Sequence, residues 1–109
     1  MPPLQPGFLM QYQVVSRNPK LPEALREYAK TRVSSIENYG QEFEKIEIIL
    51  DLEHGKTLCE IVLHPFRGDS FVAHDRAHDS RVAVDSAVGK LERQFLKFKD
   101  KKSSSRRQG

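Results

Sequence analysis

With 109 residues, 38% of them hydrophobic, the chain has apolar mass for one core and too little for a second lobe. Its net charge of +3 hides an asymmetry: residues 80–109 hold nine Lys/Arg against three Asp/Glu, and the rest hold nine against twelve, a split that points to an extended anionic partner and favours nucleic acid over membrane. One cysteine, Cys59, excludes a disulfide framework, and neither a run of ~18 apolar residues nor a secretory leader pattern is present, so a reducing cytoplasm is expected.

Residues 1–8 carry three of the six prolines and read as a flexible leader to a domain spanning 9–102. From Leu9 to Arg17, Met10, Tyr12 and Val14 alternate with Gln11 and Gln13, which predicts a half-buried strand. Pro19 and Pro22 permit a helix to start but not to have started earlier. That helix is expected from Pro22 to Tyr39, ended by Gly40, with Leu21, Leu25, Tyr28, Ala29, Val33 and Ile36 as its buried stripe. Arg32 falls within the same stripe. It either covers apolar surface with its stem or lines the seam between two helices and reaches out of it. Arg26 and Lys30, among Glu23, Glu27 and Glu37, read as a solvated face.

Phe43 to Glu53 is the strongest strand, with Ile46, Ile48, Leu50 and Leu52 on one side and Glu47, Asp51 and Glu53 on the other. His54 and Gly55 predict a tight hairpin into Lys56–His64, where Cys59, Ile61 and Leu63 point inward and make Cys59 a core thiol. After a turn containing Pro65 and Gly68, Ser70–Asp75 continues the inner face through Phe71 and Ala73. Asp79 is placed to cap a final helix over Val82–Lys102, and SSSRRQG beyond it is expected to be a disordered basic tail, residues 103–109.

Two stripes share that last helix. Val84, Val88, Leu91, Phe95 and Phe98 step by four, three, four and three residues and stay within one apolar arc at about 100° per residue. Lys90, Arg93, Lys97 and Lys101 form a second narrow arc, roughly 130° round the helix. A solvated basic face behind an ordinary core would produce this pattern too, but the concentration of positive charge in this third of the chain favours an anion-binding face. Gly89 interrupts the helix at a cost of roughly 1 kcal/mol relative to alanine, which signals close packing or tolerance.

The order predicts an α+β fold, β-α-β-β-β-α, with a four-stranded mixed sheet and both helices on one face. His74 and His78 are four apart, yet the first belongs to a strand and the second to the turn after it, so no metal site is expected. No nucleophile and base pair and no glycine-rich phosphate loop stands out, so neither enzyme chemistry nor a cofactor is expected. The solvent face of the sheet offers Gln11, Gln13, Glu47, Asp51 and Glu60 where a sheet-based RNA reader would place stacking aromatics. RNA is then met on the helical side, through phosphates.

The segment PEALREYAKTRVSSIENY, the hairpin strands, the HD before the last helix and above all VDSAVGKLERQFLKFKDKK resemble the ribosome hibernation promoting factor family, which includes sigma-54 modulation protein and the ribosome-associated inhibitor protein Y. The resemblance covers about Met10 to Lys102. It implies a fold similar to double-stranded-RNA-binding domains and binding to the small ribosomal subunit and its rRNA, in the cleft where messenger and transfer RNA lie. The family's basic helix positions fall on Lys90, Arg93, Lys97, Lys99 and Lys101, and those of its first half on Arg17 and Arg32. Arg81 stands where tyrosine is frequent in the family, Gly89 where an acidic residue is usual and Phe98 where histidine is common. The resemblance further implies a short form, monomeric off the ribosome, with no membrane and no small-molecule substrate. An alternative reading, from the older family name, is a protein-interaction regulator of a sigma factor, for which Val15, Ile49, Leu58, Val62 and Val72 on the solvent face of the sheet would supply an apolar patch.

Overall fold

A computed structural model describes the backbone of residues 11–36 and 43–108, and side chains as far as Phe98. The elements follow as β1 (Gln11–Ser16), α1 (Glu23–Ser34), β2 (Phe43–Glu53), β3 (Lys56–Pro65), β4 (Phe71–Ala77) and α2 (Ser80–Gln108), the expected β-α-β-β-β-α order. The leader at residues 1–8 and the helix stop at Gly40 lie outside the described residues.

The strands pair in the order β1-β2-β3-β4, with β1 and β2 parallel and the remaining pairs antiparallel. One inner row runs across all four: Val14 opposite Ile48, Ile48 opposite Ile61, Ile61 opposite Ala73. Because side chains alternate along a strand, this register sends Ile46, Ile48, Leu50, Cys59, Ile61 and Leu63 into the core together. An irregularity between Phe43 and Lys45 shifts the alternation by one residue, so that Phe43 is buried as well as Ile46. His54 and Gly55 close the β2–β3 hairpin with φ of 52° and 78°. Two successive left-handed residues give the tight turn whose twist matches that of the strands.

Helix α1 packs on β1 and β2 and helix α2 on β3 and β4, and the two helices meet over the sheet. Leu25, Ala29 and Val33 are buried as the periodicity requires. The helix ends at Ser34, well before Tyr39, because Ser34 donates its hydroxyl to the Thr31 carbonyl at 2.7 Å and Ser35 donates its own to the Arg32 carbonyl at 2.8 Å. Serine hydroxyls that bond back to the preceding turn compete with helix propagation. Arg26, read from sequence as solvated, is partly tucked in, its Nη2 donating to the Val14 carbonyl at 3.4 Å.

At the start of α2 the Asp79 carboxylate accepts from the Arg81 and Val82 amides at 3.0 and 3.3 Å, the cap expected of it. Val84, Val88, Leu91 and Phe95 are fully buried. Phe98, the last of that arc, lies at the rim, 41% exposed and edge-on to Phe71 at 5.3 Å, because the sheet runs out beneath it. The backbone of α2 continues past Lys102 to Gln108. Once a helix is nucleated each added residue costs little, and no proline interrupts this stretch.

Four side chains hold the helices to one another. Asp85 Oδ1, on α2, accepts from the Tyr28 hydroxyl at 2.6 Å and from Arg32 Nε at 2.8 Å, both on α1. The Arg81 guanidinium covers the Tyr28 ring at 4.8 Å. The hydrogen bond from Tyr28, then that from Arg32, holds the Asp85 carboxyl below the ordinary aspartate range, while the same Asp85 bond raises the Tyr28 phenol. Arg32 therefore occupies the seam, and its charge is engaged there.

Opposite faces of α2 respond oppositely to alanine. Phe95→Ala is expected to cost about 3–5 kcal/mol, since the ring is fully buried between Phe43 and Phe71. Gly89→Ala is expected to gain about 0.5–1 kcal/mol: a Cβ there meets only Arg93 Nη1, at an ordinary 3.8 Å. Urea denaturation of both variants checks the pair, and a destabilised Gly89→Ala would mean that this face of the helix is packed against something.

The seam generates an acid test. A carboxyl whose folded pKa is depressed stabilises the fold above its unfolded value of about 3.9 and loses that contribution as pH falls through the folded value. Asp85→Asn should melt below the wild type at neutral pH, and the gap should close as the pH is lowered from about 5 to about 2. A gap independent of pH would show that the charge on Asp85 is not what joins the helices.

Candidate nucleic-acid interface

The periodicity that buries one side of α2 turns Lys90, Arg93 and Lys97 outward, and all three are exposed. They are not equivalent. Lys90 Nζ lies 3.3 Å from Asp75 Oδ2 and 3.4 Å from the His74 carbonyl, so this lysine is drawn down onto β4. Asp75 also accepts from the Ser86 hydroxyl, and that bond, followed by one from the Arg76 amide, keeps its carboxyl below the usual range. Arg93 and Lys97 have no ion pair among the described residues, and the Arg93 guanidinium leans back beside Gly89. Gln94, between them in sequence, donates to the Val72 carbonyl at 2.7 Å and ties α2 to the edge strand.

Lys99 and Lys101 belong to α2, but their side chains lie outside the described residues. Arg17 is exposed just after β1, its amide donating to the Leu50 carbonyl at 2.8 Å. Since β1 and β4 are opposite edges of the sheet, Arg17 and the α2 cations flank the helical layer, and Arg32 lies in the seam between the two helices. The structure thus brings Lys90, Arg93 and Lys97 together, leaves Arg17 apart, and places Arg32 in between.

Sequence periodicity assigned the cations to faces but missed their carboxylate partners. Asp75 and Asp85 are distant in sequence from the residues each joins, and no local spacing announces them. It also passed over Arg67, an exposed cation in the β3–β4 loop. Among the described residues no group of three or more His, Cys, Asp or Glu could hold a metal ion. Burial pushes the Cys59 thiol up to about 12, beyond any ordinary reactivity.

The outer face of the sheet is acidic but largely compensated. Glu47 accepts from His64 Nε2 at 2.9 Å and pairs with Lys45 at 3.4 Å, and the His64 bond is the main reason its carboxyl is lowered. The Ser70 hydroxyl meets His64 Nδ1 at 3.2 Å, and Arg76 pairs with Glu53 at 2.9 Å. The Ser70, His64 and Glu47 line has the residue types of a hydrolytic relay. It runs along a sheet face open to water, and its clearest effect is to stitch β2, β3 and the start of β4 together. Val15 lies opposite Ile49 and Val62 opposite Val72, with Glu60 and Glu47 interposed in the same rows. The apolar residues of that face are a diagonal band within charged neighbours.

Residues 12–103 match the family model described as Sigma 54 modulation protein / S30EA ribosomal protein. A ribosome hibernation promoting factor of Salmonella typhimurium is 29% identical over 92 residues, covering 84% of this chain and 96% of the relative. One of Azotobacter vinelandii is 30% identical over 92 residues, covering 84% and 85% respectively. Among solved structures, the N-terminal domain of Thermus thermophilus Protein Y superposes with a TM-score of 0.69 at 26% identity, covering 83% of this chain and 99% of that one. With the matched segment running from the first strand into the basic part of α2, the chain belongs to the Sigma 54 modulation protein / S30EA ribosomal protein family.

Proposed function

We propose that this chain is a ribosome hibernation factor: it binds the small ribosomal subunit in the decoding channel, in the cytoplasm, and sterically excludes mRNA and tRNA. The observation that carries this reading is the pair of exposed cations, Arg93 and Lys97, without an ion pair among the described residues and on the outer side of the helix whose inner side closes the core. The names of the curated relatives supply the partner. Residues 9–102 form the binding unit, with 1–8 and 103–109 as appendages, and the protein is a monomer off the ribosome.

In this reading Arg93 and Lys97 contact phosphates directly, and Lys99 and Lys101 extend the row along α2. Arg17 reaches a second stretch of rRNA from the far edge of the sheet. Lys90 and Arg32 contribute less, since Asp75 and Asp85 cancel much of their field at a distance, and serve to shape the surface. No chemical step is required, because occupancy of the channel is itself the inhibition.

Charge reversal at Arg93 and Lys97 together is the direct test. Lys90→Glu is a poorer probe, since it would set a second carboxylate against Asp75 and disturb the α2–β4 contact. The Arg93→Glu, Lys97→Glu variant should keep the wild-type melting temperature and lose co-sedimentation with small subunits at physiological salt. Retained co-sedimentation would remove α2 from the interface. Capture of a sigma factor by the wild type, with no ribosome association, would replace the reading by the interaction-regulator alternative.

Salt supplies an independent check. Neutralising about four to six phosphates should weaken binding to isolated structured RNA by about 10² to 10³-fold between 50 and 200 mM salt, with little preference among sequences. Small subunits should be bound more tightly at each salt concentration, since shape adds to charge in a cleft. Equal affinity and slope for both would describe a general basic RNA binder.

A further inference from the structure

Helix α2 runs back along β4. Lys90 reaches the His74 carbonyl, Gln94 the Val72 carbonyl, and Phe98 the ring of Phe71. Continuing in that direction past the start of β4 leads into the loop joining it to β3, so residues 66–70 lie at the end of the sheet towards which the Arg93–Lys97 row advances. At the tip stands Phe66, 56% exposed, more than any other large hydrophobic residue described. Arg67 follows it, exposed and without an ion pair or hydrogen bond to any described residue.

The loop is built to hold this pair in place. Pro65 still belongs to β3, Gly68 turns the chain at φ of 90°, and Ser70 is fastened to the His64 ring. A side chain could not adopt the Gly68 conformation without strain, so the turn fixes where the two preceding side chains emerge. A solvated phenylalanine contributes little to the core, and beside a free guanidinium it presents a π face and a phosphate-binding fork at once. Those are the two elements with which proteins take hold of an unpaired nucleotide: stacking on the ring and neutralisation of the backbone. A ring at a loop tip stacks on an unpaired base without first separating a base step, whereas entry into a duplex costs about a few kcal/mol of unstacking per step.

We infer that Phe66 and Arg67 form a second RNA site that takes an unpaired nucleobase, Phe66 stacking on the base and Arg67 holding its phosphate. This rests on the RNA-binding reading above and adds selectivity for single-stranded features to a helix face that reads only phosphates.

The chain contains no tryptophan and three tyrosines, so Phe66→Trp installs its one tryptophan at the site, whose emission is read with excitation beyond the tyrosine band. Titrations use an oligoadenylate single strand and a blunt RNA duplex carrying the same number of phosphates. Quenching of Phe66→Trp emission by the single strand, with none by the duplex, is the expected result. Phe66→Ala should weaken single-strand binding by about 5- to 150-fold and leave duplex binding and the melting temperature unchanged. If the wild type binds RNA but Phe66→Ala changes neither affinity, or changes both equally, or if the tryptophan does not respond to the single strand, the loop site is overturned and the helix interface stands. If the wild type binds neither RNA nor small subunits, both readings fall.

Discussion

Everything in this fold follows from the need of α2 to bury one side. Val84, Val88, Leu91 and Phe95 find their complement in the inner rows of β3 and β4 and in Phe43, and this packing fixes the rotation of the helix about its own axis. Once that angle is set, the direction of every cation on the helix is set with it. Burial of the apolar side is worth several kcal/mol, whereas exposed charge pairs contribute at most about 1 kcal/mol each, so the core dictates the electrostatic surface and not the reverse.

Within that constraint the cations divide by what they meet. Arg32 and Lys90 are each matched by a carboxylate on the facing element, Asp85 and Asp75, and act as joints between α1 and α2 and between α2 and β4. Arg93 and Lys97 have no such match among the described residues. The division reconciles two demands on a small basic protein. Self-repulsion along a cationic face is relieved where the helix must be held, and in the proposed complex the counter-charge at Arg93 and Lys97 would come from the partner.

The sequence made the elements and their inner faces readable because period-two and period-3.6 patterns report burial directly. The alternation in β2, the valine and phenylalanine arc of α2 and the Asp79 cap are all local signals. What escaped was long-range or competitive. The end of α1 depends on whether Ser34 and Ser35 bond back to the helix, and no spacing rule decides that in advance. The partners of Lys90 and Arg32 depend on how two elements are set side by side, and Asp75 and Asp85 look like ordinary surface acids in the sequence. Phe98 matched the arc by position, yet its burial is limited by where the sheet ends, a property of the whole fold. For the proposed interface, periodicity gave the row on α2 and the family resemblance added Arg17 and Lys99, while Arg67 belongs to no pattern and emerged only from its exposure.

Cys59 sits in the middle of the sheet, with no exposed surface and its thiol pushed up to about 12. The thiolate is the species that alkylating reagents attack, and here it is withheld twice, by sterics and by protonation. The residue becomes reactive only when the core around it opens, as when the helical layer lifts off β3. Its modification rate by a small electrophile therefore reports the population of the opened state where reclosing is fast and the opening rate where modification outpaces reclosing, an intrinsic probe of the core.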